Sequence, residues 1–184
     1  MAPLEIRVFG DPVLRQHARE VVDFDARLRR LADDMHTAMR EAAGAGLAAN
    51  QVGILKRLFT WSVEDDSGTV VNPVVEETSE EMQEGDEGCL SFPGLFYPLQ
   101  RPLRARVRHR DLDGEEHLST VEGLRARVFL HEVDHLDGIL FIDHLARHDR
   151  REAMSRMREF RLEHGIDAPV ASQPSGFLLG RREA

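Results

Sequence analysis

Between residues 24 and 43, Leu28, Leu31, Ala32, Met35, Met39 and Ala42 recur at spacings of three and four, with Arg29, Arg30, Asp33 and Arg40 between them. That period lays one apolar stripe along a helix. Asp23 or Asp25 can accept the free N–H groups at its start, and Gly44 and Gly46 end the pattern. Residues 57–62 and 69–75 then gather β-branched and aromatic side chains beside Gly, Pro or Asp, which predicts strands. Arg104, Arg106, Arg108 and Arg110 alternate with Ala105, Val107 and His109, so a strand there puts four arginines on one face. We read that face as solvated sheet surface, and Asp111-Leu112-Asp113-Gly114 as the turn of a hairpin.

A proline-free stretch over 122–137, closed by Gly138, predicts a second helix through Leu124, Val128, His131 and His135. A third helix is expected over 149–163, with Ala153, Met154, Met157 and Phe160 inward and Arg150, Arg151, Arg156, Arg158 and Arg161 outward. The acids Glu76, Glu77, Glu80, Glu81, Glu84, Asp86 and Glu87 read as a solvated loop or hairpin. Beyond Gly165 the residues turn to Pro, Ser, Gly and Ala, so 166–184 is expected to be a peripheral or flexible tail on a single domain over 1–165.

Composition narrows the class. At 184 residues, 41% hydrophobic and 31% charged, the chain can bury one core and still face water. Its apolar runs, such as 138–142, fall far short of the roughly 20 residues that span a membrane. Acid and base interrupt the opening Met1-Ala2-Pro3-Leu4-Glu5-Ile6-Arg7 where an export signal is apolar. With Cys89 as the one cysteine, no intramolecular disulfide forms, which suits a reducing cytoplasm. The net charge of −9 argues against DNA and against broad nucleic-acid binding.

The chemistry concentrates in His131-Glu132-Val133-Asp134-His135. On a helix the two histidines lie one turn apart on one face and can share a metal, while the glutamate beside the first is placed to move a proton. A third ligand is needed. His144 and His148 lie downstream but without the glycine-containing spacer of the long zinc-protease signature, so Cys89, in Glu87-Gly88-Cys89-Leu90-Ser91, is the better candidate. A third segment, Gly44-Ala45-Gly46-Leu47-Ala48-Ala49-Asn50-Gln51-Val52-Gly53, lets a peptide backbone approach closely and lacks the endings of phosphate-binding loops.

Together these segments resemble peptide deformylase, with family motifs G-x-G-L-A-A-x-Q, E-G-C-L-S and Q-H-E-x-D-H in the same order, and the likeness covers about residues 4–162. The resemblance implies an α+β fold with antiparallel or mixed sheets packed around the motif helix. It implies a hydrolase that removes the formyl group from N-formylmethionyl nascent proteins at the ribosome and releases formate. Cys89, His131 and His135 would hold Fe(II), with zinc, nickel or cobalt as substitutes, and Glu132 would serve as base and then acid. Gln51 and the Leu90 N–H would donate to the formyl oxygen, the Gly46 carbonyl would accept from the formamide N–H, and Leu124, Arg127 and Val128 would border the methionine pocket. The helix over 149–163 resembles the family's C-terminal helix, which is implicated in ribosome docking.

Two departures stand out. Leu130 replaces the family's usual glutamine, leaving one outer hydrogen bond missing or replaced. Arg127 stands where an apolar residue is frequent; it either weakens methionine preference or, the favoured reading, runs its stem along the pocket wall with its charge in solvent. Rival readings are a peptide-bond-cleaving enzyme with the same histidine motif and a non-catalytic ribosome-associated relative; Gln51 and Cys89 speak against the first, Glu132 against the second.

Overall fold

Asp25 opens the first helix: its carboxylate accepts the N–H groups of Arg27 and Leu28, and α1 runs Ala26–Glu41 with Leu28, Ala32, Met35, Ala38 and Met39 buried. The computed structural model describes residues 4–166, so nearly all of the expected tail lies outside the described residues. After α1 come β1 (Gly46–Ala48), β2 (Leu58–Val63), β3 (Asp66–Thr78), β4 (Met82–Gln83), β5 (Asp86–Gly88), β6 (Phe96–Pro98), β7 (Arg101–Pro102), β8 (Arg104–Arg110) and β9 (Glu116–Glu122). Helices α2 (Gly123–Leu136) and α3 (Arg147–Glu163) follow.

Five strands form an antiparallel sheet in the order β1-β2-β3-β8-β9, and β4 pairs β7 and β5 pairs β6 in two small ribbons. Alternation along the strands divides the core. Leu58 and Val71 pack with α1, whereas their neighbours Phe59 and Val70, with Trp61, Ala105, Val107 and Val121, pack against Ala126, Phe129, Val133 and Leu136 of α2. Phe129 presents its ring edgewise to Phe59 and Trp61, at 5.1 and 5.4 Å between centroids. A further cluster seats Ala153 and Met157 of α3 on Leu14, Phe92, Leu95, Tyr97 and Phe141. The architecture is α+β, with α2 as the central helix, as the sequence leads one to expect.

Three readings change. The strand expected over 69–75 is longer at both ends, because the irregularity at Asn72-Pro73 is absorbed as a bulge. There Asn72 adopts a left-handed φ of 51° and its side-chain amide exchanges hydrogen bonds of 2.8 Å with the backbone of Val21. The acidic stretch is only partly solvated loop. Glu76 and Glu77 lie on β3 and pair with Arg106 and Arg108, so the arginine face of β8 is an exposed ladder of cross-strand ion pairs. Glu87, at the other end of that stretch, is buried. Arg127 is the third correction and belongs with the site.

Helix α2 stops at Asp137, and Gly138 turns the chain away with φ of 73°. A Cβ added there would sit 2.7 Å from the Arg15 carbonyl oxygen, whereas at Gly94, with φ of 72°, it would meet nothing. Gly138→Ala is therefore expected to destabilise the fold by about 1–3 kcal/mol from backbone strain plus this clash, and by more than Gly94→Ala. Urea unfolding of the two variants checks this; equal losses would show that the clash relaxes without cost.

Candidate active site

Helix α2 buries far more than one stripe: Ala126, Arg127, Val128, Phe129, His131, Glu132, Val133, His135 and Leu136 are all enclosed, including four ionisable side chains. Buried charge is costly unless paired, so the neighbours of these groups decide what the helix can hold.

His131 and His135, one turn apart on α2, have ring centroids 4.8 Å apart. Cys89, just after β5, brings its Sγ to 3.1 Å from His135 Nε2. One ligand atom from each of Cys89, His131 and His135 falls within 4.8 Å of the others, the only such His, Cys or carboxylate cluster among the described residues. A thiolate and two imidazoles on a compact triangle match a tetrahedral divalent-metal site with one open position. Donors gather around the sulfur: the Ser91 N–H at 3.4 Å and the Gln51 amide at 3.5 Å. His144 and His148, the other candidates, contact Asp134 and Asp149 on the surface and stay outside the cluster.

Glu132 is buried beside the cluster, and its Oε2 has no hydrogen-bond partner. An orphaned carboxylate oxygen in a cavity wall is the group expected where a water or substrate proton belongs. Burial pushes its carboxyl up to about 7, against the opposing pull of His131. Gly46 makes this placement possible, since a Cβ there would lie 2.3 Å from Glu132 Oε1; a Cβ on Gly44 would meet Leu90 at 2.6 Å. Gln51 is fixed by the Ala48 N–H, which donates to its Oε1 at 2.8 Å, and its Nε2 reaches Ser91 Oγ at 3.2 Å.

Behind Cys89, His131 and His135 lies a layer that the motifs alone did not disclose. Glu87 Oε1 stands 2.7 Å from His131 Nδ1, and Arg101 forks onto both oxygens of Glu87, with Nε at 3.0 Å and a terminal nitrogen at 2.7 Å. Burial opposes ionisation of Glu87, but His131 and Arg101 together hold its carboxyl well below the usual range. Arg101 also donates to Asp134 at 2.7 Å. Burial depresses His131 too, yet Cys89 and Glu87 outweigh it and raise its pKa well above the ordinary value in the metal-free protein. His135, by contrast, is driven well below it, by burial first and then by the charge of His131. Asn50, buried under α2, donates to the His135 carbonyl. Glu87 carried one usable signal: it stands two residues before Cys89, where extended chain brings alternate side chains to one side.

Arg127 corrects its sequence reading. Its charge is not in solvent: the residue is 6% exposed, and one guanidinium nitrogen donates to Glu87 Oε2 at 3.1 Å and to the Leu99 carbonyl at 3.0 Å. The buried carboxylate supplies what solvent was expected to supply. Leu130 is partly buried against the sheet core and brings no polar group to the site.

A cavity of about 730 Å³ opens onto the cluster, within the usual range for ligand sites. Gly44, Gly46, Gln51, Leu90, Leu124, Arg127, Val128 and Glu132 line it together with Cys89 and His131, so it brings together the sequence-predicted residues except His135, which lies behind it in the cluster. Phe96, 68% exposed, and Leu124, 55% exposed, leave apolar surface at the cavity wall.

Comparison with known proteins agrees. The polypeptide deformylase family profile matches residues 3–151. A peptide deformylase of Acidothermus cellulolyticus is 49% identical over 159 residues, covering 86% of this chain and 88% of its own. One from a Parafrankia species is 47% identical over 160 residues, covering 86% and 87%. The crystal structure of peptide deformylase from Thermus thermophilus superposes with a TM-score of 0.81 at 44% identity, over 91% of this chain and 99% of that one. The peptide-bond-cleaving and non-catalytic readings fall away. The chain belongs to the polypeptide deformylase family, metal-dependent hydrolases that remove the formyl group from the N-terminus of newly made proteins.

Proposed function

We propose that Cys89, His131 and His135 are the metal ligands of this deformylase and that Glu132 handles its protons. The supporting observation is one arrangement: three ligand atoms converge beside a buried carboxylate oxygen with no partner, on the wall of one cavity. The donor set admits several divalent metals; we take Fe(II) as the native ion, with zinc, nickel or cobalt as substitutes. When bound, such an ion polarises a carbonyl and lowers the pKa of its water from 15.7 to about 7.

The chain's own residues do the rest. The methionine side chain of the substrate enters beside Leu124 and Val128 and the aliphatic stem of Arg127, while the Gly46 carbonyl accepts from the formamide N–H. As negative charge grows on the formyl oxygen, the Leu90 N–H and the Gln51 amide donate to it. For Gln51 this means turning from Ser91 and Cys89, its partners here. Glu132, buried at the cavity wall with one oxygen unpartnered, serves both halves of the reaction: it takes a proton from the attacking water and gives it to the departing amine. Formate and a free methionine N-terminus are the products. We place the reaction in the cytoplasm, on nascent chains at the ribosome. The exposed arginines of α3, among them Arg147, Arg151 and Arg158, give that helix a basic surface for ribosomal RNA. Membranes and DNA are not partners in this reading; among the described residues no helix is long and apolar enough to cross a bilayer.

Anaerobic protein loaded with Fe(II) should release formate from a short N-formylmethionyl peptide and leave its peptide bonds intact. Cys89→Ser replaces a soft anion by a neutral hydroxyl, so metal content should collapse while the fold survives by circular dichroism. Full occupancy with normal turnover would place the third ligand elsewhere. Glu132→Gln keeps the shape but cannot take a proton: metal content should stay near wild type and formate release should fall roughly 10²- to 10⁴-fold. Loss of the metal instead would make Glu132 a structural support of the site.

A further inference from the structure

Arg127 is the buried charge that the reaction leaves without a task. Its guanidinium reaches three separate segments: Glu87 Oε2 at 3.1 Å on β5, the Leu99 carbonyl at 3.0 Å before β7, and the Gln83 carbonyl at 3.4 Å on β4. It therefore pins both small ribbons to α2, one turn ahead of His131. Only the first contact leads toward the metal ligands, and it does so in one step, because the other oxygen of Glu87 meets His131 Nδ1 at 2.7 Å.

Charge balance gives that contact its weight. Arg101 and Arg127 supply two positive charges, both only 6% exposed, and Glu87 and Asp134 supply two negative ones. Without Arg127, Glu87 keeps a single guanidinium to hold it in place. Arg101 cannot simply take over, since its third contact is committed to Asp134 at 2.7 Å.

We infer that Arg127 is a positioning residue for the metal centre: by fixing Glu87 it fixes the His131 ring, and so governs how firmly the metal is kept. This rests on the ligand assignment made above. The guanidinium thus serves the metal, while the stem of the same side chain forms cavity wall.

The test loads the full-length metal-free protein with Co(II), whose thiolate absorption band reports the ligand geometry, and follows release to excess chelator. Arg127→Gln is expected to release Co(II) roughly 10-fold faster than wild type, the lower end of what outer partners of metal ligands contribute. Arg127→Lys, which keeps the charge but not the fork, should fall between them; it carries the test should the glutamine variant fail to fold. Ala126→Gly, on the same buried helix but away from Glu87, lowers the melting temperature without a defined link to His131 and should release Co(II) at the wild-type rate. A wild-type rate and band in Arg127→Gln, or an equal acceleration in Ala126→Gly, would reduce Arg127 to a structural pin. A wild-type chain that takes up no Co(II) would overturn the ligand assignment itself.

Discussion

One carboxylate, Glu87, organises the centre of this molecule. It is 4% exposed, and an ionised group in that position survives only if its oxygens are fully engaged. They are: two guanidiniums and one imidazole meet them within 3.1 Å. The constraint propagates outward. To bring Arg101 and Glu87 together, β4 must pair with β7 and β5 with β6, and to bring His131 and Arg127 to the same place, α2 must lie across those ribbons. Removing one partner of a buried pair typically costs about 3–5 kcal/mol, because the survivor remains charged and alone, so this network tolerates little drift. Rigid contacts of this kind hold His131, and with it the triad of Cys89, His131 and His135, in a fixed arrangement.

The opposite wall of the cavity is built on absence of side chains. Gly44 and Gly46 allow Leu90 and Glu132 to press against backbone, which leaves the Gly46 carbonyl as a polar group at the cavity wall. Between these glycines and α1, Ala43 takes a left-handed φ of 54°, an uncommon conformation for a residue with a Cβ. One wall is therefore charge-locked and the other backbone-lined, and the cavity lies between them.

How much of this was legible in the sequence follows from the range of the signals. The three helices were readable within a few residues because period, caps and glycine stops are local features. The cluster of Cys89, His131 and His135 and the neighbouring Glu132 were readable because they sit in short motifs, two of the three cluster residues on one helix. Glu87 was visible as part of the Cys89 motif yet was absorbed into an acidic run; nothing local says which acid of such a run is buried. Arg101 was not singled out, and Arg127 was misread, for a stronger reason. Their partners lie 14 and 40 residues away, and an arginine whose counter-ion comes from another element looks in sequence like any solvated arginine.

The arginine ladder of β8 has a consequence for folding fidelity. Its exposed pairs with Glu76, Glu77, Glu81, Glu116 and Glu122 each contribute only about 0.2–1 kcal/mol, so they stabilise the sheet modestly. Ala105, Val107 and Val121 face the core from the same two strands, and the pairing Arg104↔Glu122 through Arg110↔Glu116 keeps them there. A slip of one residue would turn four guanidiniums inward and the apolar side chains out. Mispairing is thus penalised by far more than correct pairing is rewarded, and the ladder acts as a proofreading device for the sheet against which α2, with His131 and His135, is seated.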